Sequence, residues 1–109
     1  MNWAVSYLPE VKKDLRLLSH SQQATVKKAI EKVQENPLPQ NEGGYGKPLG
    51  SKHQLDLTNM MKIKLRGDGI RIVYKLVKRD QQMLIVVVGI REDEEVYRTA
   101  FTRRKKYNL

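Results

Sequence analysis

The chain has no cysteine, which removes disulfides, thiolate metal ligands and a cysteine nucleophile, and leaves nothing that points to an oxidising compartment. Histidine is scarce: His20 and His53 stand far apart, and no metal-spaced cluster or glycine-rich phosphate loop is present. The longest apolar run, residues 83–88, is far too short to cross a bilayer. The start, MNWAVSYLPEVKK, lacks the basic region and apolar core of a signal peptide. These absences describe a soluble cytoplasmic protein without a built-in metal or cofactor site.

What is plentiful is positive charge. The 109 residues, enough for one domain over 1–109 with one core, carry a net charge of +9 and a pI near 9.9. The charge is uneven: residues 1–43 hold 6 Lys and Arg against 5 Asp and Glu, whereas residues 44–109 hold 15 against 7. Such an imbalance suits a polyanion bound by the second half, with an affinity that falls as salt rises.

Trp3, Val5 and Tyr7 alternate with polar or small neighbours and predict a half-buried first strand. Leu8-Pro9 opens a helix whose apolar stripe is Val11, Leu15 and Leu18. Ser19 with Gln22 three residues on fits a capping box, so a second helix starts there and ends before Pro37. This pair predicts an antiparallel helical hairpin. Residues 37–59, broken by prolines and glycines, read as a long irregular loop, made basic by Lys47, Lys52 and His53. His20 sits in the interhelix turn, where a surface role fits best, while His53 stays open as a substrate contact.

The most patterned stretch follows. Met61, Ile63 and Leu65 alternate with Lys62, Lys64 and Arg66, and a Gly67-Asp68-Gly69 turn leads to residues 70–74, IRIVY. An even-length loop places Arg71 opposite Lys64 on one face, and an odd loop sends it through the sheet. Like charges facing each other are unfavourable, so an anion would relieve them; the same pattern also suits a merely solvated outer face. Residues 83–88 then read as a central strand. The acidic run 92–95 suits a helix start better than a metal site, and a short helix over about 93–102 precedes a flexible basic tail, residues 104–109.

Cations of this density can stabilise charge on a phosphodiester. A lysine crowded by cations can also become a usable general base. Tyr74, Tyr97 and Tyr107 could offer flat faces to an unstacked base. With RNA as substrate the 2′-OH is a nucleophile in its own right, so metal-free cleavage is possible, alongside simple RNA binding.

Tyr7-Leu8-Pro9-Glu10-Val11, Lys13-Asp14-Leu15, Asn36-Pro37, Lys47-Pro48-Leu49 and the segment 62–103 occur in an order and spacing that resemble the RelE branch of the RelE/ParE toxin superfamily. The resemblance covers nearly the whole chain. It implies an α+β fold, β-α-α-β-β-β with a short C-terminal helix, the helix pair packed on an antiparallel sheet. It implies a type II toxin: an endoribonuclease that cuts mRNA in the ribosomal A site by 2′-OH attack, leaving a 2′,3′-cyclic phosphate, with no cofactor and with a cognate antitoxin as partner.

Residue by residue, the resemblance makes Lys64 the general base, Lys62 an orienting group and Arg71 the stabiliser of the transition state. It puts Arg91 at the leaving 5′ oxygen and Tyr97 on the substrate base. Arg66, Lys47, Lys52, His53, Arg103 and Arg104 are the candidate contacts to RNA and ribosome. The chain departs from close RelE relatives at Ile70, in a longer stretch before Lys62, and in the tail beyond Arg103. Two other readings remain: a ParE-like inhibitor of DNA gyrase that cuts nothing, and an inactive basic RNA-binding module. The full set Lys62, Lys64, Arg71, Arg91 and Tyr97 speaks for the nuclease.

Overall fold

A computed structural model describes residues 3–52, 54–90 and 92–109, the side chains of residues 51 and 52 excepted. Strand β1 (Ala4–Tyr7) leads into helix α1 (Pro9–Arg16), with proline in the first turn where its missing N–H costs nothing. Helix α2 (His20–Gln34) begins with the reciprocal capping box of Ser19 and Gln22. Strands β2 (Lys47–Lys52), β3 (Leu55–Leu65), β4 (Ile70–Val77) and β5 (Gln82–Gly89) follow, and helix α3 (Asp93–Tyr107) closes the chain.

The strands form one sheet in the order β1-β5-β4-β3-β2. The α+β class and the order strand, two helices, sheet, C-terminal helix are those expected, but one more strand, β2, joins the sheet, which is also mixed. β1 runs parallel to β5, and the remaining neighbours are antiparallel. Residues 47–52 and 55–59, read as loop, are strand. Pro48 hides β2 from a propensity reading, yet an edge strand tolerates a residue without an N–H. Gly50, at φ 59°, absorbs the bulge between Pro48 and Gly50 that reshapes the pairing with β3.

Register assigns the two faces. Met61, Ile63 and Leu65 pair with Tyr74, Ile72 and Ile70, forming the apolar face. Tyr74 on this face is fully buried, and its hydroxyl donates to the Pro37 carbonyl at 2.9 Å, just beyond α2. Val26, Ile30 and Val33 of α2 join the same core. The opposite face, with Lys62, Lys64, Arg71 and Val73, is crossed by α3, which buries Val96, Tyr97 and Ala100.

Beyond Tyr7 the edge of β5 has no strand neighbour among the described residues, and α1 packs against β5. Asp14 Oδ2 accepts from the Val88 N–H at 3.1 Å, while Arg103 Nη1 donates to the Val86 carbonyl at 2.9 Å and to Asp14 at 2.7 Å. One ion pair thus satisfies the Val88 N–H and the Val86 carbonyl on this strand edge. The helix α3 also continues through residues 104–107, where a flexible tail was expected. Lys106 and Tyr107 both donate to the Glu10 carboxylate at 2.8 Å, and Arg104 donates to the Thr58 carbonyl at 2.6 Å. Those partners lie on distant segments, which is why the charge run by itself suggested disorder.

Candidate active site

The β3–β4 loop spans residues 66–69, an even number, and Gly69 supplies its positive φ of 66°. Lys64 and Arg71 are therefore directly opposed, on the same face. Arg71 in turn faces Gly89 at the end of β5. Four residues further on α3 begins, so the end of β5 delivers the helix start to this pair of cations.

Asp93, the first residue of α3, binds both. Its Oδ2 accepts from Lys64 Nζ at 3.1 Å and its Oδ1 accepts from Arg71 Nε. Arg71 Nη1 also donates to the Gly69 carbonyl at 2.8 Å, which ties the guanidinium to the turn. Burial alone would raise the Asp93 pKa, but the bonds from Arg71 and Lys64 outweigh it and hold the carboxyl below its ordinary range. The anion anticipated between facing cations is thus supplied by the chain itself. The three side chains remain 21–33% exposed, open enough for solvent or a ligand to reach them.

Lys64, Arg66 and Arg71 line a recess of about 440 Å³ with Leu65 and Gly69. Lys47 is exposed and pairs with Lys62 across β2 and β3, extending the basic face. The structure therefore brings Lys47, Lys62, Lys64, Arg66 and Arg71 together. Arg91, His53 and the side chain of Lys52 lie outside the described residues. Among the described residues no three His, Asp or Glu side chains come together to hold a metal ion.

Several expected roles change. Tyr97 is 2% exposed, so its ring belongs to the core and presents no face for a base. It lies near the cluster: burial and the Asp93 charge raise its pKa, and Arg71 opposes them. Tyr74 is consumed by its bond to Pro37, and Tyr107 by Glu10. Arg103 is a structural partner of Asp14 rather than an exposed RNA contact, because both side chains are largely buried. Arg104 reaches the β3 backbone at Asp56 and Thr58. Asp93 was the residue that sequence reasoning missed. Its acidic run signalled a helix start, and the local pattern held no trace of the strand that the start would meet.

No protein-family model matches the chain. It is 31% identical over 91 residues to the Escherichia coli K12 mRNA interferase toxin RelE, covering 84% of this chain and 85% of the relative, and equally similar to the Shigella flexneri mRNA interferase RelE. Among solved structures, a two-arginine mutant of the E. coli toxin RelE in the free state superposes with a TM-score of 0.74 at 26% identity, covering 94% of this chain and 98% of that one. The same mutant in complex with an antitoxin RelB peptide gives 0.68 at 26% identity, with 92% and 95% covered. Similarity of this extent, 31% identity to a relative of which most of the length is covered, makes the chain a member of the RelE toxin family.

Proposed function

We propose that the chain is a ribosome-dependent endoribonuclease that cuts mRNA in the A site and that a cognate antitoxin binds and silences it. The observation that carries this reading is the face-to-face placement of Lys64 and Arg71, with Arg66 beside them, around one recess. Three cations converging on a space of that size fit a phosphodiester better than a solvated surface. The names of the bacterial relatives as mRNA interferases and the solved complex of RelE with a RelB peptide support the same activity and partner.

In this reaction the ribose 2′-oxygen, giving up its proton to water, attacks the adjacent phosphorus; the bond to the 5′ oxygen breaks, that oxygen takes a proton from water, and a 2′,3′-cyclic phosphate and a 5′-OH result. Arg71 and Lys64 neutralise charge building on the phosphoryl oxygens, and Lys62 orients the group. Lys64 donates to Asp93 in the free protein, a contact that suits charge stabilisation directly. Arg91 is assigned to the departing 5′ oxygen from the family resemblance; an arginine gives up a proton too reluctantly to be a ready acid, so its part is electrostatic.

The test is primer extension on a defined mRNA translated in a purified system. Wild-type protein should leave discrete cuts within A-site codons that vanish without ribosomes. Lys64→Ala and Arg91→Ala should each lower cutting by about 10²-fold. Intact mRNA at saturating wild-type protein would overturn the reading and make gyrase supercoiling the next assay.

A further inference from the structure

We propose that Asp93 is a positioning residue of this site, holding Lys64 and Arg71 in register for the reaction and weakening the binding of the RNA anion in doing so. The inference rests on the nuclease reading above. Lys64 and Arg71 are cross-strand partners on one face, a placement that repels and would let two long side chains swing apart. A single carboxylate from a third element bridges them, one oxygen to each. Its backbone is fixed because it opens a 15-residue helix whose Val96, Tyr97 and Ala100 are buried against the sheet. The guanidinium is held from a second side by the Gly69 carbonyl. Both cations nevertheless line the recess with Arg66.

The charge balance follows from these contacts. Lys64, Arg66 and Arg71 bring three positive charges to the recess, and Asp93 cancels one beside its rim. Removing that carboxylate raises the local potential and should tighten ground-state binding of a phosphodiester. It also releases the two donors whose geometry the transition state needs, and misplacement by about 1 Å costs on the order of 10²-fold in rate. Affinity and turnover should therefore move in opposite directions. A purely structural residue would lower the amount of folded protein and leave that split untouched. A mere competitor for the cations would, when removed, improve binding with turnover equal or better.

The experiment measures ribosome-dependent cleavage at saturation and, separately, binding of a short RNA carrying a 2′-deoxy substitution that blocks cutting. Asp93→Asn should bind that RNA about 3-fold more tightly or better at low salt. Its saturated cleavage rate should fall by about 10- to 100-fold. Asp93→Glu should restore most of the rate. Glu94→Gln, which removes a charge from the same helical turn and whose carboxylate pairs with Arg98, should change neither quantity. Melting curves establish that each variant is folded. If Asp93→Asn unfolds, Asp93→Glu and Asp93→Ser carry the same comparison. Wild-type turnover in a folded Asp93→Asn protein would overturn the proposal, whichever way its affinity moved. Should the wild-type chain cut nothing, the nuclease reading falls and the positioning role falls with it, while the binding arm still decides the other half: tighter RNA binding by Asp93→Asn upholds the weakening of anion binding by Asp93, and unchanged binding overturns it.

Discussion

Arg103 shows how one arginine in a basic run can differ from its neighbours. Its fork meets both oxygens of Asp14, at 2.7 and 3.0 Å, and its side chain is 15% exposed against 13% for the aspartate. Planar bidentate pairing of this kind is specific to arginine. Breaking a largely buried pair leaves a charge without its partner, so Arg103→Ala should lower stability by about 3 kcal/mol in denaturant unfolding. RNA affinity, measured on the folded fraction, should stay at the wild-type level, because the side chain faces α1 and the β5 edge. A loss of affinity without a loss of stability would return Arg103 to the nucleic-acid surface.

The decisive element is α3. Its first residue completes the cationic cluster, its middle covers the sheet, and its last turn is docked on α1 through Glu10. The bonds from Lys106 and Tyr107 pull the Glu10 pKa down from 4.5 to about 2. A carboxyl whose folded value is depressed contributes stability that is present above its unfolded value and lost as pH falls through the folded one. The last turn of α3 should accordingly stay docked above about pH 4.5 and loosen between there and about pH 2. Amide exchange at residues 104–109 across that window is the measurement, and Glu10→Gln should abolish the pH dependence.

At the scale of the whole molecule, the net charge of +9 becomes directional only because the fold gathers Lys47, Lys62, Lys64, Arg66 and Arg71 on one face. About five phosphate contacts to single-stranded RNA give a slope of log affinity against log salt near −3.5. Binding of a short RNA should thus weaken by about 10²-fold between about 50 and 200 mM salt. A slope near zero, measured by fluorescence anisotropy, would mean that the face does not bind the backbone.

Much of this was local and therefore written in the chain. Alternation of Met61, Ile63 and Leu65 with Lys62, Lys64 and Arg66 set the strand and its two faces. Ser19 and Gln22 set the start of α2, whereas the length of the turn before Arg71, and so its place opposite Lys64, was left open by the sequence and settled by the structure. The alternation and the cap depend on neighbours a few residues apart, where backbone periodicity and capping chemistry operate. The parallel pairing of β1 with β5, strand β2, the docking of residues 104–107 and the hold of Asp93 on two cations depend on contacts between distant segments. No local period records them. The last two arise because burying α3 across the cationic face fixes where its two ends fall, and those ends supply the anion at Asp93 and bring the terminal cations to Glu10.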